Sequence, residues 1–327
     1  MTCRPFRASR LPSSGAPEPM TILLNNNGYD NESWRREISR QLPELPVKVF
    51  GEPIDPNEVM YAMVWNHPAG DLNRYPNLKA IFSLGAGAEH FVADTSLPDV
   101  PIILLADPAV ARDMAAHALY WVLTFHRRYG DYGSQQKERV WHRKQIVPTR
   151  EFRVGVFGLG RIGTEVASRI HDFGYAISGW DRSNRKIEGI DCFSGAGSLP
   201  EFLSRNDVTI NALPLSPETR HFLDEKIFAA MRPGGYFINI SRGAVVDDES
   251  LLEVLDRGHL AGAALDAFAQ EPLPTEHRYW SHPKVFVTPH MSGATFASSA
   301  AAVIADNVRR LELGLDVFPL FNREAGY

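Results

Sequence analysis

The 327-residue chain sets 34 Lys and Arg against 39 Asp and Glu, a formal net charge of -5, with 44% hydrophobic and 22% charged residues. That balance is globular, long enough for two domains, and gives no basic field for a nucleic-acid partner. No apolar run reaches the roughly 18 residues of a membrane span, and two cysteines, Cys3 and Cys192, are too few for a disulfide framework, which suits a reducing, cytoplasmic setting.

Residues 1–19 differ from the rest. They hold Arg4, Arg7 and Arg10, four prolines, several serines and one acid, and read as a disordered extension ahead of Met20. A mitochondrial-type leader is the alternative, against which the prolines argue. From Thr21 short apolar runs alternate with helical stretches. Strands are predicted at Ile22–Leu24, Val47–Phe50, Ala62–Trp65, Ala80–Ser83 and Ile102–Leu105, with helices over Glu32–Gln41 and Ala109–Arg128. The alternation resumes with predicted strands at Arg153–Phe157, Ala176–Trp180, Val208–Leu213, Tyr236–Ile240, Gly262–Leu265 and Val285–Val287. Between and after them, helices are predicted over Thr164–Ile170, Pro200–Ser204, Asp248–Leu255 and the alanine-rich Ala294–Glu312. Such alternation argues for parallel sheets covered by helices.

After the Arg153–Phe157 run stands a glycine fingerprint, Gly158-Leu159-Gly160-Arg161-Ile162-Gly163. In a dinucleotide site Gly158 allows the tight turn, Gly160 lets a pyrophosphate approach the backbone, and Gly163 lets helix pack on strand. The helix N-terminus adds free N–H groups and the positive end of its dipole. Asp181, after the next apolar run, suits the adenosine ribose of NAD(H) and would repel a 2′-phosphate. Arg182 and Arg185 beside it pull the other way, since a guanidinium can grip a 2′-phosphate. Either NADP(H) or NAD(H) is therefore expected. Well over a hundred residues precede the fingerprint, so the economical organisation is split. Residues 20–110 open a smaller domain, 111–293 form an inserted cofactor domain, and 294–327 return to the first. A cleft between two such domains is a usual place for a small ligand.

Three further residues stand at predicted strand-to-loop junctions: Arg242 in Ser241-Arg242-Gly243, Glu271 in Gln270-Glu271-Pro272 and His290 in Thr288-Pro289-His290. Ligands of open parallel sheets bind outside the carboxyl ends of the strands. The trio is chemically coherent for reduction of a 2-oxo acid. An arginine fork can grip the carboxylate. A protonated imidazole can deliver a proton to the carbonyl oxygen, and a carboxylate behind it holds its tautomer and favours its charged form. Taken singly, each is more often an ordinary surface residue. The eleven histidines show no HExxH or clustered Cys/His spacing, so no metal is expected.

These motifs make the chain resemble the D-isomer-specific 2-hydroxyacid dehydrogenases. The matching stretches are residues 154–163, 211–219, 231–235, 238–247, 264–268, 271–272 and 288–290. The resemblance implies two Rossmann-like, doubly wound α/β domains, the cofactor domain inserted into a smaller flavodoxin-like substrate domain. It implies that Arg242 binds substrate, Glu271 orients the acid–base group and His290 is that group. It further implies that Asp266, Leu213 and Pro214 help seat a nicotinamide. Residues 63–68, 82–87, 125–132 and 323–327 are most similar to the branch that reduces glyoxylate and hydroxypyruvate. By that likeness the backbone of Leu84, Gly85, Ala86 and Gly87 cradles the substrate carboxylate and Trp65 lines its pocket. Glycines there make sense in themselves, because bare backbone admits a ligand to its N–H groups, whereas Trp65 reads equally well as a core aromatic. The family is typically dimeric, so a homodimer is expected, with the 109–128 helix region at the interface and Trp141 near the neighbouring site. Two other readings stand beside this one: a cofactor-sensing, corepressor-like protein, and a dehydrogenase for a larger D-2-hydroxy acid. The Glu271–His290 pair argues against the formate branch, which resembles a Gln–His arrangement.

Overall fold

The computed structural model describes residues 20–324 and 326, so the expectation for residues 1–19 lies outside the described part. In chain order the first elements are β1 (Thr21–Asn26), α1 (Asn31–Gln41), β2 (Val47–Val49), β3 (Val59–Trp65), β4 (Ala80–Ser83), α2 (Glu89–Ala93) and β5 (Ile102–Ile103). Next come α3 (Pro108–His126), α4 (Tyr129–Glu138), β6 (Arg153–Phe157), α5 (Arg161–Asp172), β7 (Ala176–Asp181) and β8 (Asp191–Ser194). The remainder are α6 (Leu199–Arg205), β9 (Val208–Asn211), α7 (Glu225–Ala230), β10 (Tyr236–Asn239), α8 (Asp248–Asp256), β11 (Gly262–Leu265), β12 (Val285–Val287) and α9 (Ala297–Glu312). Local chemistry sets several helix starts. Asp30 caps α1 by accepting from the N–H groups of Glu32 and Ser33, and Asp247 caps α8 by accepting from that of Ser250, each satisfying a donor the helix itself cannot.

The chain divides into two compact units. One runs to Asp107 and resumes at Thr295; the other is Pro108–Ala294. The sequence reading placed these crossings at 110/111 and 293/294; in the structure α3 begins at Pro108 and lies wholly in the second unit.

The first unit holds a parallel sheet of order β2-β1-β3-β4-β5, the flavodoxin-like sequence of strands. Alternate strand residues face opposite sides. Leu24, Met63 and Phe82 pack with Trp34 and Ile38 of α1 and with Ala301, Ile304 and Val308 of α9. Leu23, Val64 and Ile81 face the other way, toward Leu72, Tyr75 and Phe91. The second unit holds a parallel seven-stranded sheet, β12-β11-β10-β9-β6-β7-β8. Strand order reverses direction beside β6, which is where open α/β sheets leave a ligand crevice. One face packs on Val122 and Phe125 of α3 and Val166 and Ile170 of α5, the other on Phe202, Leu251 and Leu255.

Some elements differ from the sequence reading. The strand expected over Ile102–Leu105 stops at Ile103, because the Leu104 N–H donates to the Pro319 carbonyl (2.9 Å) and Ile103 bridges antiparallel to Leu320. The long helix expected to reach Arg128 ends at His126; Arg128 adopts φ +63° and α4 starts afresh. α5 begins at Arg161, earlier than expected, which puts the fingerprint's last residues into its first turn. α9 begins at Ala297, three residues later than expected. The short elements α2, α4, α7 and β8 were not anticipated, being too brief or too polar for a periodic signal.

Candidate active site

The carboxyl ends of β6 and β9 frame the glycine loop. Gly158 has φ +84°, and a Cβ there would lie 2.9 Å from the Ala212 carbonyl oxygen. A Cβ on Gly163 would lie 1.7 Å from the Gly158 carbonyl oxygen, so only glycine lets α5 approach the turn. At Gly160, by contrast, a Cβ would meet nothing within 4 Å. That residue stands at the head of α5 with no side chain capping the helix and no acid in its first turn. Bare backbone, open space and a helix N-terminus together fit a pyrophosphate. Arg161 is exposed and Ile162 half-buried on the first turn, while Leu159 is buried below it. Leu213 is buried and Pro214 exposed on the loop after β9, where Leu213 N–H donates to Asn211 Oδ1 (3.2 Å).

Asp181 ends β7. Its Oδ2 accepts from the Leu159 N–H (3.0 Å) within the glycine loop, and its Oδ1 from the Ser183 N–H (2.9 Å) and hydroxyl (2.8 Å). Burial alone would raise this carboxyl, but the Ser183 and Leu159 bonds and the Arg185 charge bring it below the ordinary aspartate value. It is therefore anionic at neutral pH. Arg185 Nε lies 3.9 Å from Oδ1, and exposed Arg182 pairs with Glu218.

The three candidate residues Arg242, Glu271 and His290 sit on successive strand ends of the second unit. Arg242 follows β10; Asn239 Nδ2 donates to its carbonyl (3.3 Å), and its Nη1 donates to the Ser241 carbonyl (3.0 Å). Glu271 follows β11, and its Oε1 accepts from the Phe268 N–H (2.9 Å). His290 follows β12 with φ +50°, and its Nδ1 lies 2.7 Å from Glu271 Oε2. Nδ1 is thereby the donor, and Nε2 makes no hydrogen bond among the described residues. Burial works to raise the Glu271 carboxyl. The His290 and Phe268 hydrogen bonds, together with the His290 and Arg242 charges, outweigh it and hold the carboxyl below the usual glutamate value. The arrangement is an anion behind an imidazole, with an arginine close enough to be felt.

Asp266 has a task the sequence reading missed. It is 1% exposed. Oδ1 accepts from Thr288 Oγ1 (2.6 Å) and the Met291 N–H (3.0 Å), and Oδ2 from the Ser292 N–H (2.8 Å). These donors flank His290 on both sides. Its own N–H donates to the Asn239 carbonyl (2.9 Å), tying the β11 end to β10. Asn239 in turn accepts from Asn211 Nδ2 (3.0 Å) and from the Ser241 N–H (3.1 Å). No spacing announces such pairings; the one visible sign was Thr288 standing two residues before His290.

In the first unit, Trp65 ends β3 and Leu84–Gly87 follow β4. Leu84 N–H is used by the Val64 carbonyl (3.0 Å) and Gly85 N–H by Ser83 Oγ (3.3 Å). The N–H groups of Ala86 and Gly87 have no partner among the described residues. Trp65 is half-buried, with its ring against Gly85.

Replacing Asp266 with alanine removes three hydrogen bonds to a buried carboxylate. Since each is worth about 1.5–3 kcal/mol, a loss of roughly 3 kcal/mol or more in unfolding free energy is expected. Turnover should fall further than cofactor affinity. An unchanged denaturation midpoint in urea would show that the turn holds itself.

The chain is similar to known proteins over most of its length. The family described as D-isomer specific 2-hydroxyacid dehydrogenase, NAD binding domain, matches residues 119–292. Glyoxylate/hydroxypyruvate reductase A of Serratia proteamaculans (strain 568) is 36% identical over 301 residues, 90% of this chain and 96% of that protein. A D-isomer specific 2-hydroxyacid dehydrogenase from Xanthobacter autotrophicus Py2, solved in complex with NADPH and MES, superposes with TM-score 0.90 at 37% identity. That match covers 94% of this chain and 99% of the other. The NADPH-dependent glyoxylate/hydroxypyruvate reductase of Sinorhizobium meliloti, in complex with NADP and sulfate, gives 0.88 at 30% identity over 94% and 100%. This chain is a member of the D-isomer-specific 2-hydroxyacid dehydrogenase family, an NAD(P)-dependent oxidoreductase.

Proposed function

We propose that the chain reduces a small 2-oxo acid, glyoxylate or hydroxypyruvate, to the 2-hydroxy acid at the expense of NADPH or NADH. The observation that carries this is the 2.7 Å bond between His290 Nδ1 and Glu271 Oε2, which leaves Nε2 for the reacting proton. The names of the Serratia and Sinorhizobium relatives support the substrate class. When bound, the dihydronicotinamide supplies a hydride to the carbonyl carbon. His290 gives the Nε2 proton to the carbonyl oxygen as the C=O bond becomes C–O, and is left neutral until it takes a proton from solvent. Glu271 keeps Nδ1 protonated and offsets the imidazolium charge beforehand. Arg242 offers the substrate carboxylate a two-point grip. In the first unit, the Leu84–Gly87 backbone and Trp65 are the proposed substrate contacts. The glycine loop, Asp181 and the loop at Leu213 and Pro214 are the proposed cofactor contacts, with Asp266 behind them.

Loss of NADPH and NADH absorbance should be followed with glyoxylate, hydroxypyruvate, pyruvate and a bulky 2-oxo acid. Fast turnover is expected on the first two. His290→Ala should lower kcat/KM by about 10² to 10⁴, with cofactor affinity nearly intact; unchanged turnover removes the proton-donor assignment.

Both cofactors should serve. A carboxylate repels a phosphate by about 1 kcal/mol at 4 Å in water, and the half-buried Asp181 already spends its oxygens on Leu159 and Ser183. Asp181→Ser should raise the NADPH/NADH ratio of kcat/KM about fivefold. A ratio that does not move contradicts this role for Asp181.

The same reading includes a homodimer in a reducing, cytoplasmic setting. Val140, Trp141, Ile146 and Val147, in the stretch after α4, are all exposed, apolar side chains that a partner would cover. Among the described residues no helix is long and apolar enough to cross a membrane. Sedimentation equilibrium at micromolar concentration should return twice the chain mass; a single-chain mass overturns the pairing.

A further inference from the structure

In the first unit, the aromatic residues behind Trp65 are not used by the mechanism above. The six-membered ring of Trp65 lies so close to Gly85 that a Cβ there would be 2.5 Å from Cζ3 and 2.7 Å from Cε3. The His90 ring, on α2, packs against the Trp65 ring at 4.7 Å between centroids and 61° between planes. His90 in turn lies 3.9 Å from the Phe91 ring, and Phe91 lies 5.9 Å from Phe321. The indole is thus held between a bare backbone and an imidazole that is itself backed by the buried Phe91 and the half-buried Phe321.

His90 is an unusual residue for that position. Its Nε2 is buried and has no hydrogen-bond partner among the described residues. Buried polar atoms are destabilising without partners, and an ordinary apolar ring would fill such a place without that cost. Burial pushes the imidazole down to about 4, against the pull of the Glu89 charge, so at neutral pH it is an uncharged ring. What holds it is aromatic packing rather than hydrogen bonding, and such pairs prefer the edge-on arrangement seen here.

We propose that His90 is a positioning residue that braces the Trp65 indole on Gly85, and that this brace limits how long a 2-oxo acid the Leu84–Gly87 loop can accept. The proposal rests on the reading that this loop and Trp65 contact the substrate. A rigid wall that excludes one or two methylenes discriminates by about tenfold or more. With His90 removed, the indole gains room to turn away from Gly85, and the wall becomes compliant.

The test combines two readouts on His90→Ala and His90→Phe, with His90→Ser as a second small variant should alanine not fold. The first is the ¹⁹F spectrum of protein labelled with 5-fluorotryptophan, with the Trp65 line identified by its loss in Trp65→Phe. The second is the ratio of kcat/KM for 2-oxopentanoate to that for glyoxylate. In the alanine variant the Trp65 line should shift or broaden and the ratio should rise about tenfold. The phenylalanine variant should restore both. A Trp65 line that stays in place, or a shifted line with an unchanged ratio, overturns the proposal. If the wild-type protein reduces no 2-oxo acid while the line moves as expected, the proposed function fails and the brace stands.

Discussion

The buried carboxylate of Asp266 is the interaction on which the carboxyl end of the second unit's sheet depends. A charge taken out of water is tolerated only when its lone pairs are met. Here Thr288, Met291 and Ser292 meet them, so the turn between β12 and the end of the unit has one shape available to it. That shape holds His290 at φ +50°, a conformation few residues other than glycine take without support. From there Nδ1 reaches Glu271, whose other oxygen is fixed by the Phe268 N–H. The Asp266 N–H extends the linkage to β10 through Asn239, whose amide also supports the Arg242 carbonyl. Glu271, His290 and Arg242 therefore share one hydrogen-bonded frame.

The glycine loop uses the opposite strategy, removing side chains rather than engaging them. Gly163 admits the helix to the turn and Gly160 leaves its end uncovered. Asp181 closes the arrangement by accepting the Leu159 N–H, so the end of β7 also steadies the glycine loop.

Much of this was legible in the residues because it rests on local rules. Alternating apolar runs and helical stretches foretell parallel sheets, and a glycine fingerprint between strand and helix foretells its turn. Arg242, Glu271 and His290 stand out as charged or titratable residues just past strand ends. What was not legible depends on contacts distant in sequence. The Asp266 carboxylate serves residues more than twenty positions away, and nothing in its own neighbourhood signals that. The strand at Ile102 is cut short by Pro319 and Leu320, from the far end of the chain. The break at Arg128 needs a left-handed residue that is not glycine, which no turn rule anticipates. The edge strand β8 has only four residues, too few for alternation to register.

The split path of the first unit has a consequence for biosynthesis. The face formed by Leu24, Met63 and Phe82 is covered in part by α9, whose residues lie nearly two hundred positions beyond β5. During N-to-C synthesis every strand of the second unit emerges before that helix does. The inserted unit can therefore complete its sheet while the first still lacks part of its cover, and the delay is set by translation rather than by loop closure. Over that interval the first unit presents apolar surface of the kind that chaperones hold, and α9 is the helix that withdraws it.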